Sequence, residues 1–212
     1  MIIAIDGPAA AGKGTLARKL AKAFNYAYLD TGSLYRAVAL KVIRSGAAPE
    51  DVTAAVEASR SLDGAILSDP ALRDEETGSV ASVVSSLAEV RANLLDFQRN
   101  FASSPPDGKA GAVIDGRDIG MVVCPDADVK FYVTASDEER AKRRFLELEA
   151  RGETVKLDKV LADMKARDAS DQARAHSPLK KAEDAHLLDT TNLDIEAVFN
   201  KASAIIKDAS KR

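Results

Sequence analysis

Residues 7–15 of the chain, GPAAAGKGT, come close to a pattern that binds the phosphates of a nucleotide. Gly7, Gly12 and Lys13 match G-x-x-x-x-G-K-[ST], in which backbone N–H groups surround the phosphates and the lysine reaches the outermost ones. A helix beginning at the lysine would add the positive end of its dipole. The predicted nucleotide-phosphate site consists of Gly7, Pro8, Ala9, Ala10, Ala11, Gly12, Lys13, Gly14 and Thr15.

The residue after the lysine differs from the usual pattern. Many nucleotide-binding proteins carry a serine or threonine there, whose hydroxyl ligates Mg²⁺. This chain has Gly14 and carries Thr15 one position later. We therefore predict that Mg²⁺ is held chiefly by nucleotide oxygens and water, with Asp115 or Thr15 contacting it only through water.

Short apolar segments alternate with helical patterns, which is typical of an α/β fold with a parallel sheet. We predict helices from residue 13 onward and over 33–45, 50–60, 79–102, 136–152, 157–174 and 194–206, with 61–78 irregular. We predict five strands, within 2–6, 27–33, 111–118, 128–135 and 186–191. Ligands bind beyond the carboxyl ends of such strands. The polar residues at those ends are therefore expected near the loop: Asp6, Asp30, Asp115 and Asp189.

Two arginines follow predicted strands and could bind a second phosphate. LDTGSLYR (29–36) carries Thr31 and Arg36, and DGRD (115–118) carries Arg117 and Asp118. Guanidinium groups bind phosphate through paired hydrogen bonds. The strand ends predict an acceptor site whose substrate is itself a phosphate.

Composition limits the classes of function. The chain has 212 residues, a formal net charge of −3 and a single cysteine, Cys124. This balance gives no support for nucleic-acid binding, and one cysteine fits a reducing compartment. We see no signal peptide and no apolar stretch of about 20 residues, the length that spans a membrane. We expect a cytoplasmic monomer that binds neither nucleic acid nor membrane.

Five segments together resemble the bacterial cytidylate kinases, which belong to the nucleoside monophosphate (NMP) kinases among the P-loop kinases. They are GPAAAGKGTLA, LDTGSLYR, DGRDIG, RDASDQARAHSPL and, more loosely, RDEETGSVASVVSSLAEVR over 73–91. The resemblance covers nearly the whole chain, and DTGSLYR with DGRDIG is far more specific than the phosphate loop alone.

The resemblance implies a P-loop NTPase-type three-layer α/β fold with a five-stranded parallel sheet, a mobile lid and a shortened NMP-binding segment. It divides the single kinase domain into a core (1–60, 103–139 and 186–212), an NMP-binding region (about 61–102) and a lid (about 140–185).

The resemblance also assigns roles to individual residues. The implied catalytic residues are Lys13, Arg36, Arg117, Arg140, Arg144 and Arg167, with Arg143 as a further lid arginine. The implied CMP-binding residues are Thr31, Arg36, Ser82, Arg91, Arg117, Asp118, Asp171 and Arg174. Ser82, Arg91 and Asp118 would read cytosine, because a carboxylate accepts from its amino group and a guanidinium donates to its acceptors.

The implied reaction is in-line transfer of the γ-phosphoryl group of ATP, with Mg²⁺, to CMP and to dCMP. The acceptor phosphate is already anionic and needs no general base, so we interpret His176 and His186 as ordinary polar residues. The alternatives are another P-loop kinase acting on UMP, AMP or a small metabolite, a nucleotide-binding regulatory switch and a non-catalytic scaffold.

Two segments depart from the family pattern. The stretch between Leu62 and Leu72 is shorter than usual, and Ser170 and Gln172 stand where the family tends to carry arginines. We expect CMP phosphorylation to survive, with Arg140, Arg143, Arg144 and Arg167 supplying the lid contacts.

Overall fold

Five short apolar segments form one parallel sheet in the computed structural model, which describes residues 1–174 and 177–211. The strands are β1 (Ile2–Asp6), β2 (Ala27–Asp30), β3 (Ala112–Gly116), β4 (Val129–Thr134) and β5 (His186–Asp189), in the order β2-β3-β1-β4-β5. β1 is central and aligns Asp6 with Gly116 on β3 and with Tyr132 on β4. The predicted five-stranded parallel sheet is confirmed.

The helices of the described residues lie close to the predicted ranges, except over 79–102. They are α1 (Lys13–Phe24), α2 (Thr31–Ser45), α3 (Val52–Arg60), α4 (Glu75–Val84), α5 (Ala88–Ser103), α6 (Asp137–Ala150), α7 (Leu157–Ala173) and α8 (Ile195–Ala209). In these residues, no helix is both long and apolar enough to cross a membrane. His176 lies outside the described residues.

The helical region predicted over 79–102 is two helices and not one. α4 begins earlier, at Glu75, and the chain leaves the helix between Val84 and Ala88. The hydroxyls of Ser85 and Ser86 donate to the carbonyls of Ser82 and Val83 at 3.1 and 2.7 Å. Serine side chains that bond to nearby backbone compete with helical hydrogen bonding, which accounts for the break.

The irregular stretch predicted over 61–78 contains two short 3₁₀ turns, Ile66–Ser68 and Pro70–Arg73. Asp63 and Asp69 start these turns by accepting from the backbone N–H groups of Ile66 and Ala71 at 3.0 and 2.9 Å. Side-chain caps of this kind are local signals for a turn.

The chain divides into two compact units, residues 1–29 with 102–212 and residues 30–101. In the first unit, α1 and α8 pack on the sheet through an apolar cluster that includes Leu16, Leu20, Phe131, Val198 and Ile206. α6 and α7 share a second cluster in the same unit. In the second unit, apolar residues of α2 to α5 form a core of their own. The predicted boundaries of the NMP-binding region and the lid stay a prediction.

Candidate active site

The loop between β1 and α1 adopts backbone conformations that only some residues tolerate. Gly7 has φ +147°, and a Cβ there would lie 1.9 Å from the carbonyl oxygen of Val133. Gly12 has φ +90°, and Ala10 also has a positive φ, of 56°. These left-handed positions turn the loop tightly enough to enter α1 at Lys13.

The start of α1 has the features of a phosphate-binding helix terminus. Gly12 is its N-cap and has no side chain that could accept from the first N–H groups of the helix. Within the described part of α1, the first turn contains no acidic residue. Lys13 is only 7% exposed and its ammonium donates to the Pro8 carbonyl at 2.7 Å. The positive end of the helix dipole and the lysine thus lie at one loop, where an anion would be stabilised.

Gly14 faces a group of polar side chains. A Cβ at this position would lie 3.3 Å from Arg18 Nη1, 3.4 Å from Asp115 Oδ2 and 3.6 Å from the Tyr28 hydroxyl. The Tyr28 hydroxyl donates to Asp115 Oδ1 at 3.4 Å. Glycine therefore leaves space between the loop and a buried carboxylate, whereas any side chain would contact that carboxylate directly.

Asp6, at the end of β1, holds the turn that carries Arg117 and Asp118. Its two carboxylate oxygens accept from the backbone N–H groups of Ile119 and Gly120, each at 2.8 Å. Burial raises the pKa of Asp6 from 3.8 to about 6; the two amide hydrogen bonds oppose this rise, nearby Asp118 adds to it and Lys13 opposes it. Asp6 is a structural anchor of the DGRDIG segment.

We predict that Asp6→Asn removes one pH-dependent part of the stability. Because the folded state binds the Asp6 proton more tightly than the unfolded state, the contribution is fully present below about pH 4 and is lost as pH rises through about 6. The parent's free energy of unfolding should lose ~3 kcal/mol across this window from this group. Urea unfolding at several pH values measures it.

The free energy of unfolding of Asp6→Asn should lack this dependence on pH. Near neutral pH it should be about 1–3 kcal/mol lower than that of the parent, because one of the two backbone N–H groups then faces an amide NH₂ and loses its acceptor. Asp126→Asn, at an exposed position, is the matched control and should keep the parent slope. Equal slopes in all three proteins would contradict the prediction.

Asp171 joins two of the predicted acceptor arginines. The carboxylate is only 2% exposed, and its oxygens accept from Arg117 Nε at 3.0 Å and from Arg174 Nη2 at 2.5 Å. One buried carboxylate thus orients two guanidinium groups side by side. Oriented guanidinium groups can bind a phosphate through paired hydrogen bonds.

Arg143 and Arg144 on α6 contact protein groups. Arg143 donates from Nη1 to the Thr190 hydroxyl at 2.9 Å and from Nη2 to the Thr190 carbonyl at 2.8 Å. The Thr190 hydroxyl also lies 3.1 Å from the carbonyl oxygen of Ala11, to which it can donate. Arg144 pairs with Glu147 at 2.8 Å. Arg143 is thus linked to the phosphate loop through Thr190.

Arg140 is the most buried of these arginines. It is 3% exposed, donates from Nη1 to the Ala9 carbonyl at 3.2 Å and pairs with Asp168 at 2.6 Å and Asp137 at 2.6 Å. Arg167 precedes Asp168 on α7. Arg140 therefore contacts the phosphate loop itself.

The second unit brings together two predicted CMP-binding residues, Arg36 and Ser82. Arg36 donates to the Leu72 carbonyl at 2.8 Å, and its guanidinium lies 3.1 Å from where a Cβ of Gly78 would be. The Ser82 hydroxyl donates to the Gly78 carbonyl at 3.3 Å. Thr31 is buried at the start of α2.

Arg91 lies on α5 of the same unit. It donates to the Ser85 carbonyl at 3.1 Å, and its guanidinium lies 5.4 Å from the centre of the Tyr35 ring. Stacking on an aromatic face orients a guanidinium. Tyr35 is therefore a functional candidate that we did not predict, although its place beside Arg36 in LYR is a sequence signal for it.

A sequence model described as cytidylate kinase matches residues 3–208. The chain belongs to the cytidylate kinase family. The cytidylate kinase of Rhodospirillum rubrum is 55% identical over 212 residues, which is 100% of both chains. That of Rhodopseudomonas palustris (strain BisB18) is 54% identical over 207 residues, 98% of this chain and 96% of the relative. The family predicted from the motifs is confirmed.

Solved structures of low sequence identity share the fold. An uncharacterised protein from Eubacterium ventriosum aligns with a TM-score of 0.55 at 15% identity, covering 100% of this chain and 99% of its own. A sugar kinase from Janibacter sp. aligns with a TM-score of 0.51 at 11% identity, covering 97% and 94%. These likenesses show the fold alone, and they agree with the α/β fold predicted from the resemblance to the cytidylate kinases.

Proposed function

We propose that the chain transfers the γ-phosphoryl group of ATP to the 5′-phosphate of CMP, and also of dCMP, by in-line displacement. Membership of the cytidylate kinase family over nearly the whole chain makes it an ATP-dependent CMP kinase. The observation that carries the residue assignments is the Arg117–Asp171–Arg174 cluster, in the unit that also holds the phosphate loop.

We assign the donor phosphates to the loop 7–15. Its N–H groups and the start of α1 would surround the β- and γ-phosphates. Lys13 would stabilise the negative charge that develops on the leaving group in the transition state. The glycine conformations at positions 7 and 12 support a loop that is shaped before the nucleotide arrives. Catalysis then consists of orientation and charge neutralisation.

Mg²⁺ would reach the enzyme with ATP. No three His, Cys, Asp or Glu side chains cluster as a metal site in residues 1–174 and 177–211, but the buried Asp115 carboxylate near Gly14 is the hard oxygen donor that Mg²⁺ prefers. We assign Asp115 to the hydrated ion through water, and the exposed Thr15 hydroxyl to a phosphate or to a metal-bound water. When bound, Mg²⁺ neutralises charge on the β- and γ-phosphates.

We assign the acceptor phosphate to Arg36, Arg117 and Arg174, with Thr31 beside it, as the family resemblance implies. Asp171 would hold Arg117 and Arg174 in orientation and contact the acceptor sugar. The contacts of Asp171 with both Arg117 and Arg174, which orient the two guanidinium groups, support this assignment. Since the acceptor oxygen is an anion, no residue has to remove a proton from it.

We assign cytosine to Ser82, Arg91 and Asp118. The Asp118 carboxylate would accept from the N4 amino group, and Arg91 would donate to N3 and O2. Uracil would present a carbonyl to the carboxylate and an N–H to the guanidinium, which leaves polar groups without hydrogen bonds. The stacking of Arg91 on Tyr35 supports a fixed donor direction.

We assign Arg144 and Arg167 to the transferring phosphoryl group, and propose that residues 140–185 act as a lid that excludes water. Arg140 and Arg143 would support the phosphate loop, since both contact it directly or through Thr190. A cytoplasmic location and a monomeric state complete the proposal.

One assay of ADP release with CMP, dCMP, UMP and AMP as acceptors tests the assignment. We expect turnover of CMP and dCMP, and a kcat/KM for UMP lower by about 10²-fold or more. Asp118→Asn should lower the ratio of kcat/KM for CMP to kcat/KM for UMP by about tenfold, because an amide can donate to uracil O4. The exposed Asp126→Asn is its matched control.

Two results would contradict the proposal. ADP release that no acceptor stimulates would exclude a nucleotide kinase. UMP turned over faster than CMP would exclude the assigned cytosine contacts.

A further inference from the structure

The tip of the phosphate loop packs against the helical pair α6–α7. Ala9 and Ala10 lie against an apolar cluster formed by Ala141 and Leu148 of α6 and by Val160 and Met164 of α7. The loop that would hold the donor phosphates is therefore supported from outside by residues far away in sequence.

Within this support lies a buried cation, Arg140. All three of its guanidinium nitrogens contact protein: Nε donates to the Ala135 carbonyl at 3.2 Å, Nη2 to Asp137 at 2.6 Å, and Nη1 to the Ala9 carbonyl at 3.2 Å and to Asp168 at 2.6 Å. A guanidinium taken out of water is costly unless carboxylates compensate its charge. Asp137 is half exposed, so the compensation comes mainly from Asp168.

Asp168 is the buried partner that fixes this arginine. Asp168 is 8% exposed and lies on α7, one turn before Asp171. Its Oδ2 binds Arg140, and its buried Oδ1 has no hydrogen-bond partner among the described residues. A carboxylate that is buried for one contact is a strong orienting group for that contact.

We infer that Asp168 is a positioning residue, which holds Arg140 against the Ala9 carbonyl and so fixes the phosphate loop for the donor nucleotide; this rests on the proposed function. A carbonyl bound on the outside of a tight loop directs the neighbouring N–H groups toward the inside, where phosphates bind. Asp171, one turn later on α7, holds Arg117 and Arg174 of the acceptor cluster. One turn of α7 thus orients groups for both substrates.

The test compares Asp168→Asn, Arg140→Lys and the double variant by calorimetric titration with ADP, without acceptor. We expect each single change to raise the Kd for ADP about tenfold, and the double variant to be no weaker than the weaker single variant, because both changes release the same contact. The Kd for CMP should change less than threefold. Matched controls are the exposed Asp158→Asn on α7 and Arg151→Lys at the end of α6, which should bind ADP like the parent.

Three results would overturn the inference. They are an unchanged Kd for ADP in Asp168→Asn, additive losses in the double variant, and equal losses for ADP and CMP accompanied by a lower Tm, which would indicate a merely structural role. Arg140→Lys keeps the positive charge and Asp168→Asn keeps the shape of the side chain. We therefore expect both variants to fold, even if a truncation to alanine would unfold the protein. ADP binding is read without CMP turnover, so failure of the acceptor assay and failure of this inference are distinguishable.

Discussion

Replacing Lys13 with methionine should lower kcat for CMP phosphorylation about 10³-fold. The ammonium is buried within the loop that it would share with the donor phosphates, and no other lysine belongs to residues 7–15. Removal of one preorganised charge or donor that stabilises a transition state costs about 10²–10³-fold. Methionine keeps the length and apolar stem of lysine, so the loss isolates the charge. Steady-state kinetics with saturating CMP measure it.

Thr15→Val is the matched comparison at the same helix start. Thr15 is exposed, and we assign it only a phosphate or a metal-bound water, so its loss should cost less than about tenfold. Comparable losses from the two variants would mean that Thr15 takes the place of the missing hydroxyl at position 14 as a direct metal ligand. The proposed handling of Mg²⁺ would then be wrong.

Asp171→Ala should have the largest effect on the acceptor cluster. Arg117 and Arg174 would lose their shared carboxylate in a buried setting, and such a loss destabilises a protein by about 3–5 kcal/mol. We expect a higher KM for CMP as well, because the two guanidiniums lose their orientation. Urea unfolding and the KM for CMP and ATP measure the two effects.

Asp163→Ala changes the same residue type at an exposed position of α7. It should alter neither the free energy of unfolding nor the KM for CMP. Asp171→Asn retains the shape of the side chain and provides folded protein if the alanine variant unfolds. A parent-like KM for CMP in the folded Asp171→Asn protein would contradict the role of the cluster in acceptor binding.

The sequence predicts those parts of the fold whose signals are local. β1, the loop 7–15 and α1 follow from an apolar run, glycines and a lysine within 24 residues of the amino end. The serines that end α4 were present in the sequence, but periodicity alone continues a helix through them. Serine is compatible with a helix, so only its hydrogen bonding to the preceding turn reveals the break.

The supporting contacts of the site could not be predicted in this way. Asp6 binds an amide 113 positions away, and Arg140 binds a carbonyl 131 positions away. No spacing rule connects such residues, because tertiary packing alone brings them together. The family resemblance assigned Arg140 to the lid, and it gave no role to Asp168, Tyr35 or Thr190. These three residues contact Arg140, Arg91 and Arg143 respectively.

The carboxylate of Asp6 has a consequence for the interpretation of pH–rate profiles. As pH falls through about 6, this group takes up a proton, which favours the folded chain as a whole because a buried neutral carboxyl costs less than a buried carboxylate. The same proton occupies one of the two oxygens that accept from the Ile119 and Gly120 amides. The turn that carries Arg117 and Asp118 is then held less firmly at one of these amides, and activity should decline on the acid side without any proton transfer in the reaction. An acid limb of this kind reports a local change in the scaffold rather than a general base. Asp6→Asn also presents a single acceptor oxygen, so it should show the lower activity at every pH and lack this acid limb.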